Sequence, residues 1–441
     1  MFRVMRFINY RVHFHRGLLL AAICFALIKT NVAHAIGSNQ ENQSIEFVNS
    51  SVIKSVKLHR LGWELSEQAI ELNGKGKLLF SFDDISGNPS TYSYTVTHCD
   101  WDWNFSSIFL SDYMDGFEVN EIKDFSYSSG TTMDYTHFQL ELPNGDVRLK
   151  ISGNYLLRVF DTYKPDVILI QRRFVVYEPL TKISVQVRQP SAGEHRYSGQ
   201  QLDLKVNMEG VRIYDPYTEL KTVVCQNYLF QGCLQNVKPI HVQDGEIDYS
   251  HPDAIIFEGI NEFRLFDTRS IRQPGVGILS VDYQSGAYHV LLKPEESKLN
   301  QKYSYYADLN GNFVVGLERS DKSWNEADYL WTYFTLKTPL GGETGKSVYL
   351  FGELTGWQLS PDNRMEYSYQ RQAYEISLLL KQGAYSYRFV VADNTTGAVD
   401  ATYFEGSHFD TENSYMVLVY YRPMGSRYDR IIGYQTVSSQ R

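Results

Sequence analysis

Apolar and polar residues alternate one by one over several stretches of this chain, and this period of two constrains its fold more than any other feature. Ile183, Val185 and Val187 alternate with polar side chains, and residues 149–160 and 202–208 follow the same pattern. Such alternation is typical of antiparallel strands with one buried and one solvated face. No convincing stretch of helical length repeats its apolar residues with the helical period. The pattern therefore predicts an all-β protein.

Composition and turn chemistry agree with this prediction. The chain has 33 Tyr and 24 Phe, residue types that favour the half-buried surface of a pleated sheet. Asn-Gly and Asp-Gly pairs supply the positive φ angles of tight hairpins, and such pairs begin at Asn73, Asn144, Asp244 and Asn310. At 441 residues the chain is too long for one β-domain. We therefore expect tandem domains of the immunoglobulin-like or β-sandwich class.

Residues 1–35 have the order of a secretory signal peptide. Four arginines without any acid precede an apolar run of 12 residues, Gly17–Ile28, and Ala33-His34-Ala35 offers a small-x-small cleavage site. The run is too short for a membrane-spanning helix, which needs about 20 apolar residues. Cys24 follows Ile23 inside the run, so we interpret it as part of the signal and not as a lipid attachment site. The mature protein is therefore expected outside the cytoplasm.

The mature chain is acidic. The first 35 residues hold five of the 42 basic residues and none of the 51 acidic ones, which leaves 37 against 51 and a net charge of −14. Nucleic acids and anionic lipid surfaces are recognised by clustered positive charge. We therefore expect no nucleic-acid partner and no direct insertion into a membrane.

Three cysteines, Cys99, Cys225 and Cys233, follow the signal segment. Export makes disulfides possible, and Cys225 and Cys233 are close enough in sequence to close a hairpin. Spacing alone does not bring two Cα atoms within bonding range. The sequence leaves open whether these two cysteines form a disulfide or all three remain buried thiols.

Composition shifts divide the chain into segments. Pro179 marks the end of the first domain, because proline is excluded from the centre of a sheet, and the Gly-rich stretch near residue 342 predicts a linker. The predicted organisation is a signal peptide (1–35), a flexible lead (36–50), a first β-domain (51–178), a second β-sandwich (179–338), a linker (339–347) and a third domain (348–441).

Two segments resemble ligand-binding loops without completing them. Residues 341–347 (GGETGKS) end like a phosphate-binding loop, but Leu340 stands where that motif needs its first glycine, and a strand-like segment follows. Residues 308–312 (DLNGN) begin like a calcium loop but lack its later ligands. We interpret the first segment as a linker and the second as a hairpin turn.

Residues 98–103 (HCDWDW) gather side chains that can bind metals, but a zinc site would need a second ligand pair at suitable spacing. If the segment is a strand, one face carries His98, Asp100 and Asp102 and the other carries Cys99, Trp101 and Trp103. We therefore expect an aromatic core on one side and solvent on the other.

No motif for covalent catalysis is complete. The chain has no GxSxG nucleophile motif, and the adjacent acids Asp83 and Asp84 would point to opposite faces of a strand. We predict that the protein is not an enzyme and has no catalytic, cofactor-binding or metal-binding residues and no cofactor. An active site assembled from distant loops is the alternative that the sequence leaves open.

Several long segments resemble the type IX secretion system plug proteins of Bacteroidetes, in the same order along the chain. They are residues 80–103 (FSFDDISGNPSTYSYTVTHCDWDW), 111–143, 149–160, 257–270 (FEGINEFRLFDTRS), 305–315 and 417–434. Ile260 stands where the family pattern favours a small residue, commonly glycine. The similarity extends over most of the mature chain.

The resemblance implies a function in binding. Plug proteins are soluble periplasmic partners of the translocon, a very large outer-membrane β-barrel, and they close its periplasmic opening when no cargo is loaded. The resemblance therefore implies a monomer within that complex, associated peripherally with the outer membrane. The aromatic residues Trp101, Trp103, Tyr113 and Phe117 are candidate interface anchors. Core packing is the favoured interpretation, so interface residues stay unassigned.

The predicted third domain has a resemblance of its own. Residues 348–357 (VYLFGELTGW) and 383–391 (GAYSYRFVV) resemble early-set immunoglobulin-like modules, which include glycogen-binding domains. In those modules a tryptophan at the Trp357 position and a basic residue at the Arg388 position contact sugar. No second aromatic residue stands in 396–400, so we favour a structural Trp357. An exported glycan-binding or surface-scaffold protein is the alternative function.

Overall fold

The computed structural model describes residues 46–439, except 192, 228–229, 231, 244, 251–254, 339–341 and 343. The predicted signal peptide and residues 36–45 of the predicted lead lie outside this part of the chain. The described residues are almost entirely strands and loops, which confirms the all-β prediction.

Twelve strands and one short helix build the first sandwich. The strands are β1 (Phe47–Val48), β2 (Ile53–Arg60), β3 (Ala69–Glu71), β4 (Leu78–Asp84), β5 (Tyr92–Cys99), β6 (Met114–Gly116), β7 (Asn120–Glu121), β8 (Asp124–Tyr127), β9 (Thr136–Leu142), β10 (Val147–Leu149), β11 (Gly153–Asp161) and β12 (Ile168–Tyr177), and helix α1 is Leu110–Tyr113. One sheet has the order β1-β12-β11-β5-β7, with β3 added parallel to β12, and the other has the order β2-β4-β9-β8. Strands β6 and β10 form a separate ribbon. Because β1 pairs with β12, residues 47–48 of the predicted flexible lead belong to a sheet instead.

Alternating aromatic residues from both sheets fill the first core. The Phe82 ring stacks on Phe138 with centroids 5.0 Å apart, and Tyr92 meets Phe82 edge-on. The predicted single strand 149–160 is wrong, because β10 ends at Leu149 and β11 starts at Gly153. The face of this segment that the alternation predicts to be exposed to solvent is also partly buried, since Asn154 is fully buried and accepts a hydrogen bond from the Tyr420 hydroxyl at 2.8 Å.

The chain then begins a second sandwich. Its first seven strands are β13 (Lys182–Arg188), β14 (Gly199–Asn207), β15 (Leu220–Gln226), β16 (Leu234–Val237), β17 (His241–Gln243), β18 (Glu246–Asp248) and β19 (Ile256–Glu258). Helix α2 (Pro216–Glu219) and a 3-10 turn (Glu194–Arg196) lie between these strands. The order of one sheet is β13-β14-β18-β17, with β19 also paired to β14.

Before this sandwich is complete, the chain builds a third one. The strands are β20 (Arg264–Asp267), β21 (Ile278–Gln284), β22 (Ala287–Leu292), β23 (Glu295–Glu296), β24 (Phe313–Val315), β25 (Tyr329–Lys337), β26 (Lys346–Phe351), β27 (Glu366–Ser368), β28 (Ala373–Lys381), β29 (Gly383–Asp393) and β30 (Val399–Asp400). Helix α3 (Ser323–Glu326) and two 3-10 turns (Glu353–Thr355, Pro361–Asn363) complete it. One sheet gathers β20, β24, β26 and β30 around β29, and the other has the order β21-β22-β25-β28-β27, with β23 parallel to β25.

Two final strands return to the second sandwich. They are β31 (Ser414–Tyr421) and β32 (Arg430–Ser438), and they complete a sheet of order β16-β15-β31-β32. Val224 of β15 faces Val417 of β31 in the register, and both contribute to one buried core. The third sandwich, residues 264–400, is thus inserted into the second.

The predicted boundaries of the second and third domains differ from this arrangement. The predicted division at 339–347 falls inside the inserted sandwich, where it follows β25 and ends within β26, and residues 414–438 belong with residues 182–258. Residues 339–341 and 343 of the predicted linker lie outside the described residues. Alternation along a strand shows which face is buried but not which strand lies beside it.

Candidate functional site

Residues 98–103 do not form the continuous strand on which the two faces predicted from the sequence depend. Strand β5 ends at Cys99, and the amide of Trp103 donates to the Asp100 carbonyl across 2.9 Å, closing a turn. Trp103 has a φ of +67°, an uncommon conformation for a bulky side chain. The turn separates the candidate ligands, because the Asp100 carboxylate pairs with Arg422 at 2.7 Å and the Asp102 carboxylate accepts from Asn104.

His98 is buried and neutral. Its Nε2 lies 3.2 Å from the Ser152 carbonyl, an acceptor only, so Nε2 carries the proton and Nδ1 accepts from the Ser106 hydroxyl at 2.6 Å. Burial lowers the pKa of His98 to about 4. The imidazole packs so closely on Gly153 that a Cβ there would overlap the ring. His98 is therefore a packing residue of the first sandwich.

Within the part of the chain that the structure describes, no three His, Cys, Asp or Glu side chains are grouped closely enough to hold a metal ion. Asp308, at the start of the calcium-like segment, accepts instead from the backbone amides of Phe263 and Asn310. The predicted linker includes Lys346 and Ser347 of the phosphate-loop-like segment, but these two residues begin strand β26 instead.

Trp357 and Arg388, which stand at the sugar-contact positions of the early-set modules, pack against other side chains of this protein. Trp357 packs edge-on against Phe263 and Phe351, with centroids 6.2 and 5.5 Å away. The Arg388 guanidinium is buried and lies 3.4 Å from the centre of the Phe263 ring. These contacts agree with a structural Trp357.

An aromatic wedge joins the first sandwich to the second. Trp103 meets Phe230 edge-on at 5.0 Å, and the buried Arg173 guanidinium lies about as far from both rings, at 5.1 and 5.0 Å. Trp101 packs against the same cluster. Cys225, also in this cluster, is bonded to Cys233, so the structure contains the disulfide that spacing left open. Cys99 is a buried free thiol.

A buried ionic network joins the first sandwich to the inserted one. The Asp83 carboxylate of β4 accepts from Lys381 Nζ at 2.7 Å and from the Tyr329 hydroxyl at 2.6 Å, and its other oxygen accepts from His137 Nδ1 at 2.6 Å. Burial alone would raise the pKa of Asp83, but the Lys381 charge and these hydrogen bonds outweigh it and lower the pKa. Asp84 points the other way, as predicted, and accepts from Tyr92 inside the core.

The chain crosses from the second sandwich into the inserted one and later crosses back, and the two crossing segments are bonded to each other. Ile260 on the outgoing crossing has a φ of +56° and donates its amide to the Ser407 hydroxyl on the returning one at 3.0 Å. Arg264 then forms a bidentate pair with Glu405, with both contacts at 3.0 Å. The left-handed backbone at Ile260 explains why a glycine is expected there.

The four aromatic residues proposed as interface anchors lie in different environments. Trp101 and Trp103 lie in the wedge between sandwiches, and Tyr113 is buried in the first core. Phe117 is 78% exposed. Of these four, only Phe117 is left on the surface for a partner.

The fold and the contacts between its sandwiches define a class of protein. Three β-sandwiches, one inserted into another, are held together by buried charge pairs and aromatic packing. The described residues contain no helix that is both long and apolar enough to cross a membrane. This is the class of multidomain β-sandwich proteins.

Comparison with known proteins identifies the family. Residues 53–178 match the family model described as the type 9 secretion system plug protein, first domain. The first sandwich therefore belongs to the type IX secretion system plug protein family. The matched range begins with β2 and ends just after β12, so it corresponds to the first sandwich.

One solved structure resembles nearly the whole chain. A hypothetical protein from Parabacteroides merdae shares 33% identity over 89% of this chain and 98% of its own, with a TM-score of 0.86. An alpha-2-macroglobulin from Escherichia coli matches at 10% identity, over 89% of this chain and 27% of its own, with a TM-score of 0.17, and nothing follows from that likeness. No curated protein matched the sequence.

Proposed function

We propose that this protein is a periplasmic plug, which binds the periplasmic opening of the translocon barrel of the type IX secretion system and occludes it when no cargo is loaded. The match of the first sandwich to the plug family carries the proposal. The partner is the outer-membrane barrel, and the protein acts as a monomer within the complex, in the periplasm.

The connections between sandwiches support a steric function. A body that blocks a pore must keep its shape against a partner interface of ordinary protein–protein size. The Asp83–Lys381 pair and the Trp103–Phe230 wedge join the first sandwich to each of the others. The described residues accordingly cluster as one compact unit.

We also propose that the protein performs no covalent chemistry. A cleft between the first and inserted sandwiches is lined by Lys381 and Glu353. Both charges are engaged in joining the sandwiches, Lys381 with Asp83 at 2.7 Å and Glu353 with Lys57 at 3.2 Å. Charged groups committed to such pairs are poor candidates for acid–base catalysis.

Two experiments test the proposal. The barrel, isolated from cells depleted of cargo, should carry this protein, and barrel loaded with cargo should carry much less. Cells lacking the gene should admit large solutes through the outer membrane when the channel is empty. An intact permeability barrier in those cells, together with cargo-free barrel that lacks this protein, would contradict the function.

A further inference from the structure

The outer border of the first sandwich is formed by two short strands. Strand β7 ends one sheet and β8 ends the other, and the chain passes directly between them through Ile122 and Lys123. Each is paired on one side only among the described strands, β7 with β5 and β8 with β9. This border, residues 117–127, therefore offers backbone donors and acceptors to an additional strand.

The border also exposes aromatic side chains. Phe125 and Tyr127 of β8 are 48% and 64% exposed, and their rings meet with centroids 5.8 Å apart. Phe125 continues inward to the buried Phe138 at 5.6 Å, so the exposed pair extends the core. Natural edge strands are usually protected by lysine, proline or a bulge. Strand β8 reads Asp-Phe-Ser-Tyr and holds no lysine, proline or bulge, and its one charged side chain is Asp124.

The other outer strand of the same sheet is covered. Strand β2 lies against the inserted sandwich, where Lys57 pairs with Glu353 at 3.2 Å and lies 4.3 Å from the centre of the Phe313 ring. Of the two outer strands of this sheet, β8 is the one left open for a partner.

The charge of the border selects the kind of partner. Lys123 is paired with Asp146 at 3.3 Å. Glu118, Glu121 and Asp124 are exposed, and no ion pair is found for them among the described residues. The border therefore presents acids and aromatic rings beside an open strand, and its complement is an extended segment that carries basic and apolar side chains.

We propose that the border of residues 117–127 is the docking surface for the translocon barrel, which adds an extended basic and apolar segment to β8; this inference rests on the proposed plug function. Strand addition of this kind draws affinity from backbone hydrogen bonds and specificity from alternate side chains. A second copy of this chain is a poorer occupant, because it would bring the same acidic border against itself.

The test compares full-length variants for binding to the detergent-solubilised barrel of the same organism. Tyr127→Ser with Asp124→Lys alters the border, and Glu121→Lys with Asp124→Lys changes only exposed charges, so its folding is safe. The matched control is Tyr163→Ser with Asp166→Lys in the exposed loop between β11 and β12. We expect both border variants to bind at least about tenfold more weakly and the control to bind as wild type. Wild-type binding should weaken as salt is raised.

Hydrogen exchange separates strand addition from side-chain contact, since those amides of residues 124–127 that point away from β9 should gain protection when the barrel is bound. Unchanged binding by both border variants, beside a wild type that binds, would overturn the docking surface and leave the plug function standing. A wild type that does not bind the barrel would remove the proposed function and this inference together. A dimer in sedimentation velocity that the border variants abolish would instead assign the border to a second copy and overturn the proposal.

Discussion

The Asp83 carboxylate and the Lys381 ammonium meet at 2.7 Å although 298 residues separate them in sequence. Both side chains are almost completely buried. The pair joins β4 of the first sandwich to β28 of the inserted one, and a buried charge without its partner is costly.

Asp83→Asn should therefore destabilise the protein by about 3–5 kcal/mol, because Lys381 would remain buried without a counter-charge. Adding Lys381→Met to the same chain should recover part of the loss. The control is Lys77→Gln, which breaks an exposed pair with Glu141 and should cost about 0–1 kcal/mol. Urea unfolding measures all three, and equal losses for Asp83→Asn and Lys77→Gln would contradict the assignment.

His98 should make the protein less stable in mild acid. Its folded pKa of about 4 lies below the ordinary value of 6.5, so between these values the unfolded chain binds the proton and the folded chain does not. Stability should fall as pH decreases from 6.5 to 4, by at most about 3 kcal/mol from this group. His98→Asn should flatten that part of the profile, whereas His241→Asn, at an exposed site, should not. A profile unchanged by His98→Asn would rule out this contribution.

Asp83 should act at lower pH. Its pKa is lowered in the folded state, so its contribution is present above the ordinary carboxyl value and is lost as pH falls through the folded pKa. Below the ordinary carboxyl pKa, the free energy of unfolding should therefore fall more steeply with decreasing pH in wild type than in the double variant with Asp83→Asn and Lys381→Met. Superimposable acid limbs in the two proteins would contradict this.

Gly311→Ala should be more disruptive than its size suggests. Gly311 has a φ of +80°, and an added Cβ would overlap the rings of Trp357 and Phe263. Gly62 has a φ of +85° with nothing within 4 Å of its added Cβ, so Gly62→Ala carries the backbone strain alone. We expect Gly311→Ala to be less stable than Gly62→Ala by about 2 kcal/mol, from overpacking. Equal thermal unfolding temperatures for Gly311→Ala and Gly62→Ala would show that the Trp357 side chain is free to move aside.

The three cysteines of the mature chain should differ in their reaction with a thiol reagent. The mature chain, denatured without reductant, should react with one equivalent of a thiol reagent, at Cys99, and with three after reduction, because Cys225 and Cys233 are bonded. Three equivalents without reductant, in protein from the periplasm, would exclude the disulfide.

Much of the local structure follows from sequence alone. The period-two patterns of residues 183–187 and 202–208 coincide with strands β13 and β14. The opposite directions of Asp83 and Asp84 follow from strand geometry. The resemblance to plug proteins rests on the order of long segments and is confirmed by the family match.

The sequence by itself determined that this chain is all-β, which faces of strands β13 and β14 are buried and to which family its first domain belongs. The tertiary structure alone decided that residues 414–438 return to the sandwich begun by residues 182–258, that Asp83 meets Lys381, and that Trp101 and Trp103 pack between the first two sandwiches. The reason is that alternation records only the environment of a face. Strand partners and buried charge pairs depend on contacts between residues far apart in the chain, and no local pattern encodes them.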